Sequence, residues 1–266
     1  MKDRSKEHGA SPRGAAIESR RDFLRKSGAA VGSALSFGAI GLILPDELEG
    51  VTTTDYDWTK HRWIYLIDTY KCIGCGSCVR ACRAENEVPE EMFRTWIERY
   101  QILAGGEAHV DSPHGGEFGF PPVAEEHHKT KSYFVPKMCN HCEQTPCTQV
   151  CPVGASYSTQ DGAVLVDPER CIGCGYCVQA CPYGSRFINP RTHTADKCTW
   201  CYHRLTKGLK TACVEICPVN ARIIGDMKDP DDPVHEILAT KRVQALQPQL
   251  LTKPQCLYIG LDTEVR

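Results

Sequence analysis

The apolar and polar positions divide the chain into a distinct front and a body of short segments. Residues 27–44 (SGAAVGSALSFGAIGLIL) carry no charge, and they follow a basic stretch ending in Ser19-Arg20-Arg21-Asp22-Phe23-Leu24-Arg25-Lys26. Beyond them the pattern changes every few residues. The run 63–70 (WIYLIDTY) predicts a strand, the stretch after Cys82 a short helix ending near Pro89, and 93–103 (FRTWIERYQIL) a second strand. Residues 104–130 are rich in Gly, Pro and His and predict an insertion or surface loop. Segments 155–159 and 163–166 flank Asp161-Gly162, the pattern of a hairpin. A helix is predicted from Cys198 through Lys207, a strand at 222–225, a peripheral helix at 232–242 and a short buried strand at 253–260.

A basic segment followed by an uncharged one is the layout of an export signal. The paired Arg20 and Arg21, followed by Phe23-Leu24 and a weakly hydrophobic Gly/Ala-rich run, point to the twin-arginine route and an extracytoplasmic location. Eighteen uncharged residues can also just cross a bilayer, so an anchor is the competing reading. No clean cleavage site stands before Pro45, and an uncleaved leader would tether the protein to the membrane. No second run of spanning length follows.

Across the chain Lys and Arg total 31 and Asp and Glu 33, a balance that argues against nucleic-acid binding. Hydrophobic residues make up 41%, and 17 of them are cysteines, so aliphatic packing alone is thin for closing a core. Sixteen of the cysteines fall into four groups. Cys72, Cys75, Cys78 and Cys82 are spaced C-x2-C-x2-C-x3-C, and Cys171, Cys174, Cys177 and Cys181 repeat that spacing. Cys139, Cys142, Cys147 and Cys151 have a wider middle gap, and Cys198, Cys201, Cys213 and Cys217 a much wider one. Pro152, Pro182 and Pro218 follow the last cysteine of three groups, and Arg83 takes that place in the first.

The spacing C-x2-C-x2-C-x3-C-P is that of bacterial 4Fe–4S sites, in which the fourth cysteine serves the other cluster of a pair. Three close cysteines on a tight loop can wrap one side of a cubane. Gly74, Gly76, Gly173 and Gly175 let the backbone turn its amides inward, because glycine accepts positive φ. Structural zinc is the first rival, but it takes pairs separated by a loop, and triple cysteines over-supply a tetrahedral ion. A disulfide scaffold would suit an exported chain. A 3Fe cluster or a zinc at the fourth group also remains open. Cys256 stands outside the groups and reads as a small core hydrophobe.

The first and third groups share local sequence as well as spacing, KCIGCGSCVRAC against RCIGCGYCVQAC, which points to duplication. The fold class expected is α+β, with two interleaved ferredoxin-like modules around the clusters. One module comprises 60–103 and 190–262, the other 131–189, with the leader at 1–45 and the insertion at 104–130.

Four such motifs, with Cys-Asn-His-Cys, Cys-Ile-Gly-Cys and Ala-Asp-Lys-Cys-Thr-Trp-Cys, resemble the iron–sulfur subunit of the dimethyl-sulfoxide-reductase family over about residues 60–262. The resemblance implies four 4Fe–4S clusters with crossed ligands. Cys72, Cys75 and Cys78 would join Cys217, and Cys198, Cys201 and Cys213 would join Cys82. Likewise Cys139, Cys142 and Cys147 would join Cys181, and Cys171, Cys174 and Cys177 would join Cys151. It further implies an electron-transfer subunit without its own active site, working between a quinone-reactive NrfD-like membrane subunit and a redox partner. The strand Phe93-Arg94-Thr95-Trp96, the segment 111–116 and the Gly260-Leu261-Asp262 end resemble the subtype found in Dsr-type sulfur-metabolism complexes, where the partner is a multihaem cytochrome c. A molybdopterin reductase such as tetrathionate reductase is the alternative, and a free-standing soluble ferredoxin a third.

Four clusters would take the body from about −6 to about −14, a charge that amide hydrogen bonds and nearby cations must offset. Lys71, Arg80, Arg83, Lys137, Arg170, Arg186, Lys197 and Arg204 lie close in sequence to the cysteines. His141 and His203 sit in or beside cysteine loops, and with no cysteine missing they are expected to pack or hydrogen-bond. His127-His128 beside Glu125-Glu126 read as a solvated loop.

Overall fold

The computed structural model describes residues 56–122 and 129–265. The leader and the His127-His128 pair lie outside the described residues.

The elements are short and follow the cysteine loops. Strand β1 (Trp63–Asp68) leads to the first loop, and helix α1 (Ser77–Asn86) starts within it. Strands β2 (Thr95–Leu103), β3 (Ala108–Asp111) and β4 (Lys129–Met138) come next, then the single turn α2 (Pro146–Gln149). The hairpin β5 (Ser156–Ser158) and β6 (Val164–Val166) precedes α3 (Tyr176–Gln179). A second hairpin, β7 (Arg186–Ile188) and β8 (Ala195–Lys197), leads to the turns α4 (Tyr202–Leu205) and α5 (Ala212–Glu215). The chain ends with β9 (Arg222–Asp226), α6 (Val234–Thr240), β10 (Val243–Ala245) and β11 (Cys256–Ile259).

Strand β1 organises the larger sheet, whose order is β10-β11-β1-β9. It runs parallel to β11, with Tyr65 opposite Cys256, and antiparallel to β9, with Ile67 opposite Arg222. The two ends of the body are thus stitched together around the middle third. The second sheet, β3-β2-β4, is antiparallel, and the two hairpins stand as separate ladders. The main core gathers Tyr65, Ile67, Ile97, Val135, Trp200 and Tyr258 together with several cysteines. A second, small cluster consists of Cys147, Cys177 and Ala195 with a few half-buried neighbours. Among the described residues no helix is long and apolar enough to cross a membrane.

Several sequence expectations need correction. The stretch 104–130 is more than a loop: it holds β3 and the first residues of β4, and Gly115, Gly116 and Glu117 within it are buried. Strand β4 had no clear apolar alternation to announce it, because Lys131, Lys137 and Pro136 interrupt the pattern. As an edge strand it tolerates Pro136, which has no N–H to offer. Its pairing with β2 runs from Thr95–Met138 to Leu103–Lys129, so a module boundary at 130/131 cuts through a strand. The helix expected over Cys198 to Lys207 is only the turn α4. Trp200 and Cys201 have φ of 55° and 46°, so right-handed helix cannot begin before Tyr202. The pair β7/β8 was not anticipated at all, since its strands are three residues long.

The segment after β3 clamps the first cysteine loop. Arg83 forks onto Glu117, with Nε and Nη2 donating to the carboxylate at 2.7 and 2.8 Å, and Arg80 Nη1 donates to the Glu117 carbonyl. Gly76, at φ 74°, fits beneath: a Cβ there would stand 2.2 Å from the Glu117 carbonyl oxygen. The left-handed conformation alone costs a residue with a Cβ about 1–2 kcal/mol. Gly76→Ala is expected to destabilise by more than that and to lower the thermal midpoint by several degrees in circular dichroism. Gly105→Ala, where a Cβ meets nothing within 4 Å, serves as the neutral control.

Candidate functional site: four cysteine quartets and their buried cations

All seventeen cysteines are free thiols. Cys72, Cys75 and Cys78 line one pocket together with Cys217, which β9 and the preceding turn bring back from the far end of the chain. A second pocket is lined by Cys171, Cys174 and Cys177 with Cys151. The other two quartets are more enclosed. Cys82 lies within electrostatic reach of Cys213 and Cys201, and Cys198 within reach of Cys82 and Cys213. Cys142 lies in reach of Cys139, Cys147 and Cys181. Cys256 is fully buried in β11, belongs to no quartet, and burial pushes its thiol up to about 12.

The thiols converge on volumes rather than on points. Among the described residues no three His, Cys, Asp or Glu side chains come close enough together to hold a single metal ion. A tetrahedral zinc needs all its sulfurs about 2.3 Å from one centre. A cubane instead takes one thiolate at each iron, and cavities lined by four separated thiols suit it.

Burial disfavours the charged form of a thiol. It raises Cys72 and Cys147 to about 11 and Cys142 to about 12, so each would be protonated without iron. Cys151 is the exception: burial acts upward, but the backbone amides of Ser156, Val153, Ala155 and Gly154 outweigh it and hold its thiol below the ordinary range. Other amides already point at sulfur. The N–H of Ala195 donates to Cys171 at 3.3 Å, that of Ala221 to Cys217 at 3.2 Å, and that of Trp200 to Cys198 at 3.4 Å. Asn86 offers Nδ2 to Cys82 and Cys201 at 3.6 and 3.7 Å. Such donors stabilise a charged sulfur and, in an iron–sulfur centre, its reduced form.

Buried cations complete the fit. Of the eight basic residues near the cysteines in sequence, five pair with carboxylates, as Lys137 does with Glu98 at 2.7 Å and Arg204 with Glu85 at 2.9 Å. Arg80 donates instead to the backbone carbonyl of Glu117. Lys197 and Arg186 are different. Lys197 is 1% exposed and donates Nζ to the carbonyl of Cys198 at 2.9 Å and to that of Val164. Arg186 is 4% exposed, and none of its three guanidinium nitrogens has a hydrogen-bond partner. The groups acting on it are the thiols of Cys147, Cys139 and Cys177. A buried guanidinium without an acceptor is costly unless an anion faces it, so this environment fits a negatively charged cluster. Arg222 is the cation the sequence reading missed. It is 2% exposed and lines the first cavity. A signal was available: Arg186 and Arg222 both stand at the fifth position after a Cys-Pro cysteine, in Cys181-Pro182 and Cys217-Pro218.

His141 and Trp200 join the second and fourth cysteine groups. Their rings stack with centroids 3.9 Å apart and an interplanar angle of 13°. The Val164 N–H donates to His141 Nδ1 at 2.9 Å, which places the ring proton on Nε2, and Nε2 donates to the Cys198 carbonyl at 3.0 Å. Burial and then Lys197 hold the imidazole well below its ordinary pKa, so it stays neutral. His203 is a surface residue bonded to Glu85 at 2.7 Å.

Two stretches, 71–155 and 130–227, each match a family described as a 4Fe-4S dicluster domain. The chain is 45% identical over 205 residues to the B component of tetrathionate reductase from Salmonella typhimurium, covering 76% of this chain and 74% of that protein. It is 36% identical to the B component of polysulfide reductase from Wolinella succinogenes, covering 72% and 91%. It is 37% identical to protein NrfC of Escherichia coli K12, covering 89% and 93%. Fold, cysteines and relatives together define a ferredoxin-type protein that binds 4Fe–4S clusters. More particularly, the chain belongs to the family of iron–sulfur electron-transfer subunits of multi-subunit reductases, and within such an assembly it is not the catalytic subunit.

The His141–Trp200 contact generates a stability prediction. His141→Leu strands the buried Val164 N–H, while the Cys198 carbonyl keeps Lys197 Nζ, and is expected to destabilise by about 1–3 kcal/mol. His141→Phe keeps the stack without the hydrogen bonds and should recover part of that loss, as read by denaturant unfolding under anaerobic conditions.

Proposed function

We propose that this chain is a four-cluster electron wire of a sulfur-compound reductase, comparable in role to the B component of tetrathionate reductase. The ligand sets are Cys72, Cys75, Cys78 and Cys217; Cys82, Cys198, Cys201 and Cys213; Cys139, Cys142, Cys147 and Cys181; and Cys151, Cys171, Cys174 and Cys177. The observation that carries the reading is the gathering of Cys72, Cys75 and Cys78 with Cys217, and of Cys171, Cys174 and Cys177 with Cys151, in a chain 45% identical to that protein.

Electrons pass between a quinone-reactive NrfD-like membrane subunit and a molybdopterin catalytic subunit on the extracytoplasmic face of the membrane. The Arg20-Arg21 leader supports that location. Two quartets have apolar rims suited to docking: Tyr70, Ile73 and Ile216 are exposed near that of Cys72, and Ile172 and Tyr176, beside the exposed Cys174, near that of Cys171. A second reading, a Dsr-type complex with a multihaem cytochrome c, draws on the segment 111–116. There Ser112 Oγ donates to the Ile97 carbonyl at 2.6 Å and Asp111 pairs with Arg99 at 2.6 Å, so the resembling residues are built into the fold.

Two measurements test the cofactors. The purified chain should carry about 16 Fe and about 16 acid-labile sulfides, as four cubanes require; a value near 12 would remove one site. Cys82→Ser should alter the electron paramagnetic resonance of the cluster built on Cys198, Cys201 and Cys213 and leave that on Cys72 intact; the reverse result contradicts the crossed ligation.

Affinity capture from detergent-solubilised membranes tests the assembly. Co-purification of an NrfD-like protein with a molybdopterin subunit is expected. A multihaem cytochrome in place of the molybdopterin subunit selects the second reading, and recovery of the chain alone supports a free-standing ferredoxin.

A further inference from the structure

Arg222 and Arg186 occupy equivalent places in the two halves of the site. Each opens a strand, β9 and β7 respectively, five residues after the last cysteine of its group. Each guanidinium lies inside the protein with no carboxylate contact among the described residues. Arg222 is held by Nη2 donating to Thr95 Oγ1 at 2.7 Å and by Nη1 against Met138 Sδ at 3.4 Å, and its Nε is unpartnered. It lines the cavity of Cys72, Cys75, Cys78 and Cys217. It also acts on Cys213 and Cys82, which belong to the neighbouring quartet. Arg186 repeats the arrangement, acting on Cys147 and Cys139 of one quartet and on Cys177 of the next. Each arginine is therefore buried within electrostatic reach of thiols from both quartets of one pair.

An arginine is a permanent charge, since its guanidinium does not deprotonate in proteins. One-electron reduction of a centre adds one negative charge there and removes one from the donor, with no bond made or broken. A fixed cation near two centres lowers the free energy of that added charge at both.

We propose that Arg222 and Arg186 are positioning residues of the electron path, each raising the reduction potentials of the two clusters of its own pair by one buried positive charge. This rests on the four-cluster reading above. A shift shared by both members leaves the difference between them unchanged and moves the pair as a unit relative to the other pair. Thr95 serves as the bracket that holds Arg222 in place.

The test is an anaerobic redox titration of the loaded protein, followed by electron paramagnetic resonance, on Arg222→Met and Arg186→Met, with Arg222→Lys and Arg186→Lys as charge-keeping controls. Iron content is measured first; fewer than four clusters in the wild type would fail the underlying reading and not this one. A unit charge a few ångströms away at an effective dielectric constant near 20 is worth about tenfold or more in the reduction equilibrium, which is about 59 mV for one electron. Arg222→Met is expected to lower the potentials of the first pair by at least that amount and leave the second pair in place. Arg186→Met should do the opposite, and the lysine variants should restore most of each shift. A loaded methionine variant whose own pair does not move, or in which all four centres move together, overturns the proposal. Should both methionine variants fail to retain iron, pulsed resonance on wild-type protein carrying guanidine-15N arginine decides. Coupling of nitrogen-15 to the reduced centres that is absent from Arg222→Lys and Arg186→Lys upholds the proposal, and its absence from the wild type overturns it.

Discussion

A thiolate taken out of water costs several kcal/mol unless charge and hydrogen bonds replace the water it loses. This chain draws sixteen cysteines into its interior or onto its edge, and most of the rest of the structure answers that one constraint. Burial raises bare thiols such as Cys72, Cys142 and Cys147, so these gain their charge only with iron to share it. Amides at Ala195, Ala221 and Trp200, and the four that converge on Cys151, supply part of the compensation. Arg186, Lys197 and Arg222 supply the rest. Short strands follow from the same constraint, because each loop must return to a centre every few residues.

The cysteine chemistry was legible in the sequence because ligand spacing is local. Three thiols within a single tight loop are a covalent fact of the chain, and the glycines between them mark the turns. The strands β1, β2, β9 and β11 were legible too, since each has a run of apolar or β-branched residues long enough to stand out. What escaped had a common cause. Strand β4 pairs over its whole length with β2, but its own residues are interrupted by lysines and a proline, so its state is fixed by the partner strand. The hairpin β7/β8 is too short for periodicity and exists because it spans the gap between two cysteine loops. Arg222 is as near to Cys217 in sequence as Arg186 is to Cys181, but only the fold shows that β9 carries it across to Cys78 and Cys213.

The stack of His141 on Trp200 explains how two pairs of sites form one body. The two rings belong to different Cys-x-x-Cys loops and meet at 3.9 Å, and Lys197 bridges the same junction through the Cys198 carbonyl. A neutral histidine suits this place, since a second cation beside Lys197 would be repelled. The junction is therefore polar in its bonds and uncharged in its ring, and it joins two thiol-rich halves through buried groups.

The pairing of β1 with β9 and β11 bears on how the chain comes together. The cysteines of the second and third groups lie within residues 139–181, whereas those of the first and fourth are spread from Cys72 to Cys217. Strand β1, which leads into the first cysteine loop, gains its parallel neighbour only from residues 256–259. A chain lacking β11 would keep all sixteen grouped cysteines and leave β1 with β9 as its one neighbour, so the brace behind the first loop is supplied from the opposite end of the body.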